Sequence, residues 1–149
     1  MSVKSQENNM RRLAELLSHD LGYIWGERES GSNGDKKVFL NVGKAFLRAL
    51  AKDLGLRDVT VKANPAGIAV SGKSYLYGMW EDEGLYICLE QPFCMGDDVL
   101  LYRSIRNAHD HKGGHNHYIR RVELANLSYA QLLERLCRLR KETAYERAA

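Results

Sequence analysis

The chain is short of cysteine and proline and has no long apolar run. Its three cysteines, Cys88, Cys94 and Cys137, form an odd set without paired spacing. Such a set does not read as a disulfide framework. Cys88 falls in an apolar, strand-like stretch, where a reduced and buried thiol is expected. With only two prolines, Pro65 and Pro92, each at an expected turn or loop, nothing marks a linker that would divide the chain. No stretch approaches the ~20 apolar residues needed to cross a bilayer. The opening residues, Met1 to Asn9, lack the apolar core of a secretory signal. The expectation is a cytoplasmic protein without membrane contact.

Charge is also undirected. Twenty-two basic residues against 19 acidic ones leave a formal +3, which permits a nucleic-acid or acidic partner without selecting one. Hydrophobic residues at 44% and charged residues at 28% are ordinary for a globular chain. The 149 residues suit one domain, 1–149, able to bury a core without metal or disulfide staples.

Periodicity predicts the elements. Met10, Leu13, Leu17 and Leu21 recur at helical spacing and place a first helix over about 5–20. The polar, turn-rich segment 28–37 reads as a mobile loop. Phe46, Leu47, Leu50 and Leu54 define a second helix over about 42–54, ended by Gly55. The period then changes to two. Strands are expected around Val59–Val61, Ile68–Val70, Tyr75–Met79, Leu85–Glu90, Val99–His109 and His115–Leu124. The last helix opens with a capping box, Ser128 and Gln131, with Leu127 and Leu132 at staple positions. Its buried face is Leu132, Leu133, Leu136 and Leu139. The fold class is therefore α+β: an antiparallel meander of about five to six strands, with two N-terminal helices and one C-terminal helix packed on it.

Four of the five histidines fall in the segment His109-Asp110-His111-Lys112-Gly113-Gly114-His115-Asn116-His117, the expected tip of a hairpin. Imidazole is the commonest metal ligand and titrates near neutral pH. A three-residue turn at Lys112-Gly113-Gly114 puts His111 opposite His115 and His109 opposite His117, on one face and about 5 Å apart. Such a set suits Zn²⁺, Ni²⁺ or Cu²⁺. A two-residue Gly113-Gly114 turn instead sends the two pairs to opposite faces. It also sets Ile105 against Val122, where the longer turn sets Arg103 against Glu123. Gly-Gly chemistry and the apolar pairing favour the two-residue turn.

Two motifs resemble known enzyme families over short stretches. Gly67 to Ser74 satisfies the phosphate-loop pattern and resembles P-loop NTPases over those eight residues. The resemblance implies Lys73 on phosphate and Ser74 on Mg²⁺. It departs in context, because an Ile-Ala-Val interior reads as strand and Tyr75 to Trp80 is a poor helix. His111, His115, Asn116 and His117 before a helix resemble metal-dependent nucleases of the His-Asn-His class. The terminal helix, however, offers Cys137 and no histidine as a third ligand. His19 stands alone and reads as structural.

Arg103, Arg106, Lys112, Arg120 and Arg121 flank the same tip with Tyr102 and Tyr118 among them, a mixture able to pair with phosphate and stack on bases. The expectation is a non-enzymatic binding or accessory module. Its contact surface would be Arg103, Arg106, Lys112, Tyr118, Arg120 and Arg121, and its partner a protein or nucleic acid. The alternatives are a metal sensor or metal-dependent enzyme built on His109, His111, His115 and His117, and a nucleotide-binding protein using Lys73 and Ser74.

Overall fold

A computed structural model describes residues 2–18, 30–64, 72–91, 96–111 and 114–148. In chain order the elements are α1 (Val3–Leu16), α2 (Ser30–Asp53), β1 (Arg57–Ala63), β2 (Lys73–Met79), β3 (Gly84–Glu90), β4 (Asp98–Ile105), β5 (His117–Arg120), α3 (Arg121–Asn126) and α4 (Tyr129–Ala148). The five strands pair antiparallel in the order β1-β2-β3-β4-β5. The fold is the expected α+β meander, with one helix more than expected.

Helix ends follow local chemistry. The Ser2 hydroxyl accepts from the Ser5 backbone N–H at 3.1 Å and caps α1. At the end of α2, Gly55 takes φ +69°. Its N–H bonds the Lys52 carbonyl, and that of Leu56 bonds the Ala51 carbonyl. This is the paired closure that releases a chain from a helix, and glycine takes the left-handed position at no steric cost. At α4 the Ser128 N–H donates to Gln131 Oε1 at 2.9 Å, and the Gln131 N–H donates to Ser128 Oγ at 3.1 Å. The predicted capping box is formed.

Helix α2 starts well before the expected Val42. From Ser30 onward, the segment expected to be a mobile loop is helical; residues 28 and 29 lie outside the described residues. A glycine inside a helix, such as Gly34, costs about 1 kcal/mol. Burial of Phe39 and Leu40, with Lys36 also fully buried, extends the packed face past the expected start. Packing here outweighs propensity. The strand expected at 68–70, together with His19 and Leu21, lies outside the described residues.

Alternation sorts the sheet residues into two faces. Leu76, Leu85, Ile87, Leu89, Leu100 and Ile119 are buried in one cluster with Met10, Leu13, Phe46, Leu47, Leu50, Leu132 and Leu136 from the helices. A polar network crosses this layer. Tyr129 Oη donates to Asp53 Oδ2 at 2.6 Å, and Gln6 Nε2 donates to Tyr129 Oη at 3.3 Å and to the Phe46 carbonyl at 3.1 Å. These bonds tie α1, α2 and α4 together. Among the described residues no helix is long and apolar enough to cross a membrane.

Both expected hairpin registers are overturned. β4 ends at Ile105 and β5 starts at His117, with Tyr102 opposite His117, Leu101 opposite Tyr118 and Leu100 opposite Ile119. With these strand ends, β4 and β5 are not joined by a two- or three-residue turn. The ladder with β5 ends at Tyr102, so Arg103 and Ile105 have no partner there, and Val122 and Glu123, expected opposite them, lie in α3. The strand expected to reach Leu124 stops at Arg120. There Glu123 Oε1 accepts from the Arg120 backbone N–H at 3.2 Å, and Leu124 is fully buried. A helix start thus replaces the strand end.

Candidate binding surface

The outward sheet face is built by the residues that alternate with the core. Lys62 lies opposite Tyr75 and Thr60 opposite Tyr77. Tyr75 lies opposite Cys88 and Tyr77 opposite Tyr86. Tyr86 continues to Arg103, Cys88 to Leu101, and Leu101 to Tyr118. Rings of Tyr77 and Tyr86 sit 4.9 Å apart between centroids, and Tyr75 meets Tyr77 edge-on at 5.5 Å. These are ordinary favourable aromatic geometries.

The histidine loop closes onto this face through Arg103. Its Nη2 donates to the His111 carbonyl at 2.6 Å and to the Gly114 carbonyl at 2.8 Å, while Nη1 donates to Asn116 Oδ1 at 3.0 Å. One guanidinium, with its fork of fixed donors, thus gathers three points of the loop. Gly114 lies so close to the Ser104 backbone that a β-carbon there would fall on the Ser104 carbonyl oxygen. Beneath it, Ser104 Oγ donates to the buried Glu83 carboxylate at 2.8 Å. Held this way, the His111 ring rests against Tyr77 at 5.5 Å and Tyr86 at 5.3 Å. Four rings therefore form one contiguous patch. Beside it, Lys73, Tyr86, Cys88, Glu90, Leu101 and Tyr118 border a recess of about 230 Å³.

The electrostatics of the patch are those of a quiet surface. Burial raises the Tyr86 phenol well above its usual range, with the neighbouring Cys88 adding to the effect. Burial also raises Tyr77, helped by Tyr75. The Cys88 thiol is pushed up to about 11, chiefly by burial. It is protonated at neutral pH and is no nucleophile.

The four histidines do not converge. His109 is exposed in a tight turn, its N–H held by Asn107 Oδ1 at 2.8 Å. His111 lies on the tyrosine face, and His115 is exposed. His117 is on the helix side of the sheet, stacked on Tyr102 at 5.1 Å. Among the described residues no group of three or more His, Cys, Asp or Glu side chains is placed to hold a metal ion. The expected zinc, nickel or copper set required a register the sheet does not adopt.

Nor do the arginines share a patch. Arg106 pairs with Asp110 at 3.5 Å, Arg120 with Glu123 at 3.8 Å and Arg121 with Asp97 at 3.7 Å. Arg103 serves the loop, and Lys112 lies outside the described residues. Tyr118 is 49% exposed, on the outward face with the other tyrosines. Lys73 and Ser74 open β2 instead of a helix. Ser74 is fully buried, and its hydroxyl has no hydrogen-bond partner. That placement lacks the helix N-terminus a phosphate loop requires; residues 67–71 lie outside the described residues.

Sequence reasoning missed Tyr75, Tyr77 and Tyr86 as surface residues. The signal was the intervening Leu76 and the flanking Leu85 and Ile87, which claim the core face and force the tyrosines outward. Comparison of the chain with protein-family models, with curated proteins and with solved structures finds no match.

Proposed function

We propose that this chain is a non-enzymatic binding module whose outward sheet face takes single-stranded nucleic acid. The observation that carries the reading is the contiguous ring patch of Tyr75, Tyr77, Tyr86 and His111 on the face opposite the helices. Successive bases stack on such rings without regard to sequence, at about 1–3 kcal/mol per base. Lys62, Lys73 and Arg103 share that face by register, with Glu90 opposite Lys73 and Asp98 bordering the adjoining recess. Lys73 Nζ also lies 5.9 Å from the Tyr75 ring centroid. Rings flanked by cations suit a strand whose bases face inward and whose phosphates run along the margin.

The test is fluorescence anisotropy with labelled single-stranded and duplex DNA and RNA. Saturable, salt-sensitive binding of single strands, weakened at least about tenfold by Tyr75→Ala with Tyr77→Ala, is the expected result. No saturable binding of any single strand by the unmodified protein overturns it. A protein partner on the same face is the second reading. It is favoured by the carboxylates that hold Arg106, Arg120 and Arg121 and by the tyrosine-rich character of interface cores.

A further inference from the structure

A second recess lies on the other side of the sheet, between β4–β5 and α4, and is independent of the ring patch. Its volume is about 320 Å³, and its walls are Tyr102, His117, Arg135, Arg138 and Leu139. That size is at the lower end for small-molecule pockets. We propose that it is a binding site for a small oxyanion, a phosphate or carboxylate group.

The walls supply donors from two elements. Tyr102 and His117 are partners in the β4–β5 register, and their rings stack with planes 20° apart. Arg135 and Arg138 stand three residues apart on α4, so both reach the same side of that helix. Among the described residues that line it, all but Leu139 carry an N–H or O–H, and none carries a carboxylate. An oxyanion offers acceptors only, which complements such a lining.

Two carboxylates compete for the guanidiniums. Arg135 Nη2 donates to Glu123 at 3.0 Å and Arg138 Nη2 donates to Glu134 at 2.9 Å. Neither acid lines the recess. Each guanidinium has five N–H donors, so one bond to a glutamate leaves donors for a ligand. The acids hold the two forks in place while cancelling much of their charge. Recognition therefore rests on donor geometry more than on net field, and weak, selective binding follows.

The experiment is an NMR titration of the full chain with inorganic phosphate and, separately, with acetate, with sodium chloride matched for ionic strength as control. Saturable shifts of the His117 ring and of the Arg135 and Arg138 side-chain N–H signals are expected. Arg138→Gln, on a side chain 59% exposed and outside the core, should weaken them at least about tenfold. Response to phosphate alone identifies a phosphate site, and response to acetate alone a carboxylate site. Shifts equal to those with chloride, shifts that survive both Arg138→Gln and His117→Asn, or no saturable shift overturn the proposal. Loss of oligonucleotide binding in the outer-face variants leaves this titration unchanged, so the two readings fail separately.

Discussion

Arg103 on β4 donates to the backbone carbonyl of His111 at 2.6 Å, and that bond sets the His111 imidazole against Tyr77 and Tyr86. The loop's place on the sheet thus depends on one side chain and three acceptors. Charge-assisted bonds of this kind are worth about 1.5–3 kcal/mol each when they replace solvent contacts, less where the groups stay partly wet.

Arg103→Gln should release the loop without unfolding the sheet. The expected loss is about 1–3 kcal/mol in chemical denaturation. Ring-current shifts between His111 and Tyr86 should vanish in NMR spectra of the variant. Preserved His111 shifts would show that the loop is held by other contacts.

Gly114→Ala should act on the same loop from the opposite side. The added methyl would meet the Ser104 backbone carbonyl, and backbone cannot turn aside as a flexible side chain does. Overpacking of this kind costs about 1–3 kcal/mol. Amide exchange over residues 106–116 should accelerate, while the β2–β3 amides stay protected. A variant with wild-type stability and exchange would contradict the close approach.

Alkaline pH should destabilise the fold. Burial raises the phenols of Tyr86, Tyr77 and Tyr129, with Asp53 adding at Tyr129, above the ordinary 10.0. A raised pKa means the folded state holds its proton more tightly. The associated stability is fully present below about pH 10 and is lost as pH rises through the folded values. Thermal midpoints should hold steady up to about pH 10 and then fall, and Tyr86→Phe should lessen the fall.

Thiol chemistry should separate two cysteines. Cys137 is exposed and Cys88 is buried, with its thiol pushed up to about 11. Alkylation at neutral pH, read by peptide mapping, should modify Cys137 in the native protein and Cys88 only after denaturant is added. Rapid native labelling of Cys88 would show that the outward face opens readily.

The local elements were legible in the chain. Ser128 with Gln131, and Gly55 after Leu54, act through atoms a few residues apart, so sequence alone determined where α4 begins and α2 ends. Alternation of Leu76, Ile87 and Leu89 determined a meander with one buried face. The candidate site was legible only in part. His111 and Tyr118 belong to the proposed face or its border, and Arg103 matters as the loop's anchor, but the four-histidine set and the arginine patch do not form.

Their failure has one cause. Pairing of β4 with β5 is a long-range choice, decided by Leu100 with Ile119 in the core and Tyr102 with His117 beside α4. Gly113-Gly114 exerts only a local preference, and the core pairing outweighs it. Once that register is set, the described residues between Ile105 and His117 fall outside the β4–β5 ladder, and Arg103 draws His111 and Gly114 onto the tyrosine face. Sequence by itself determined the α+β meander and its helix caps, because those signals are short-range and periodic. Tertiary structure alone decided the strand register, the scatter of the histidines and the ring patch, because each depends on which distant residues share the core.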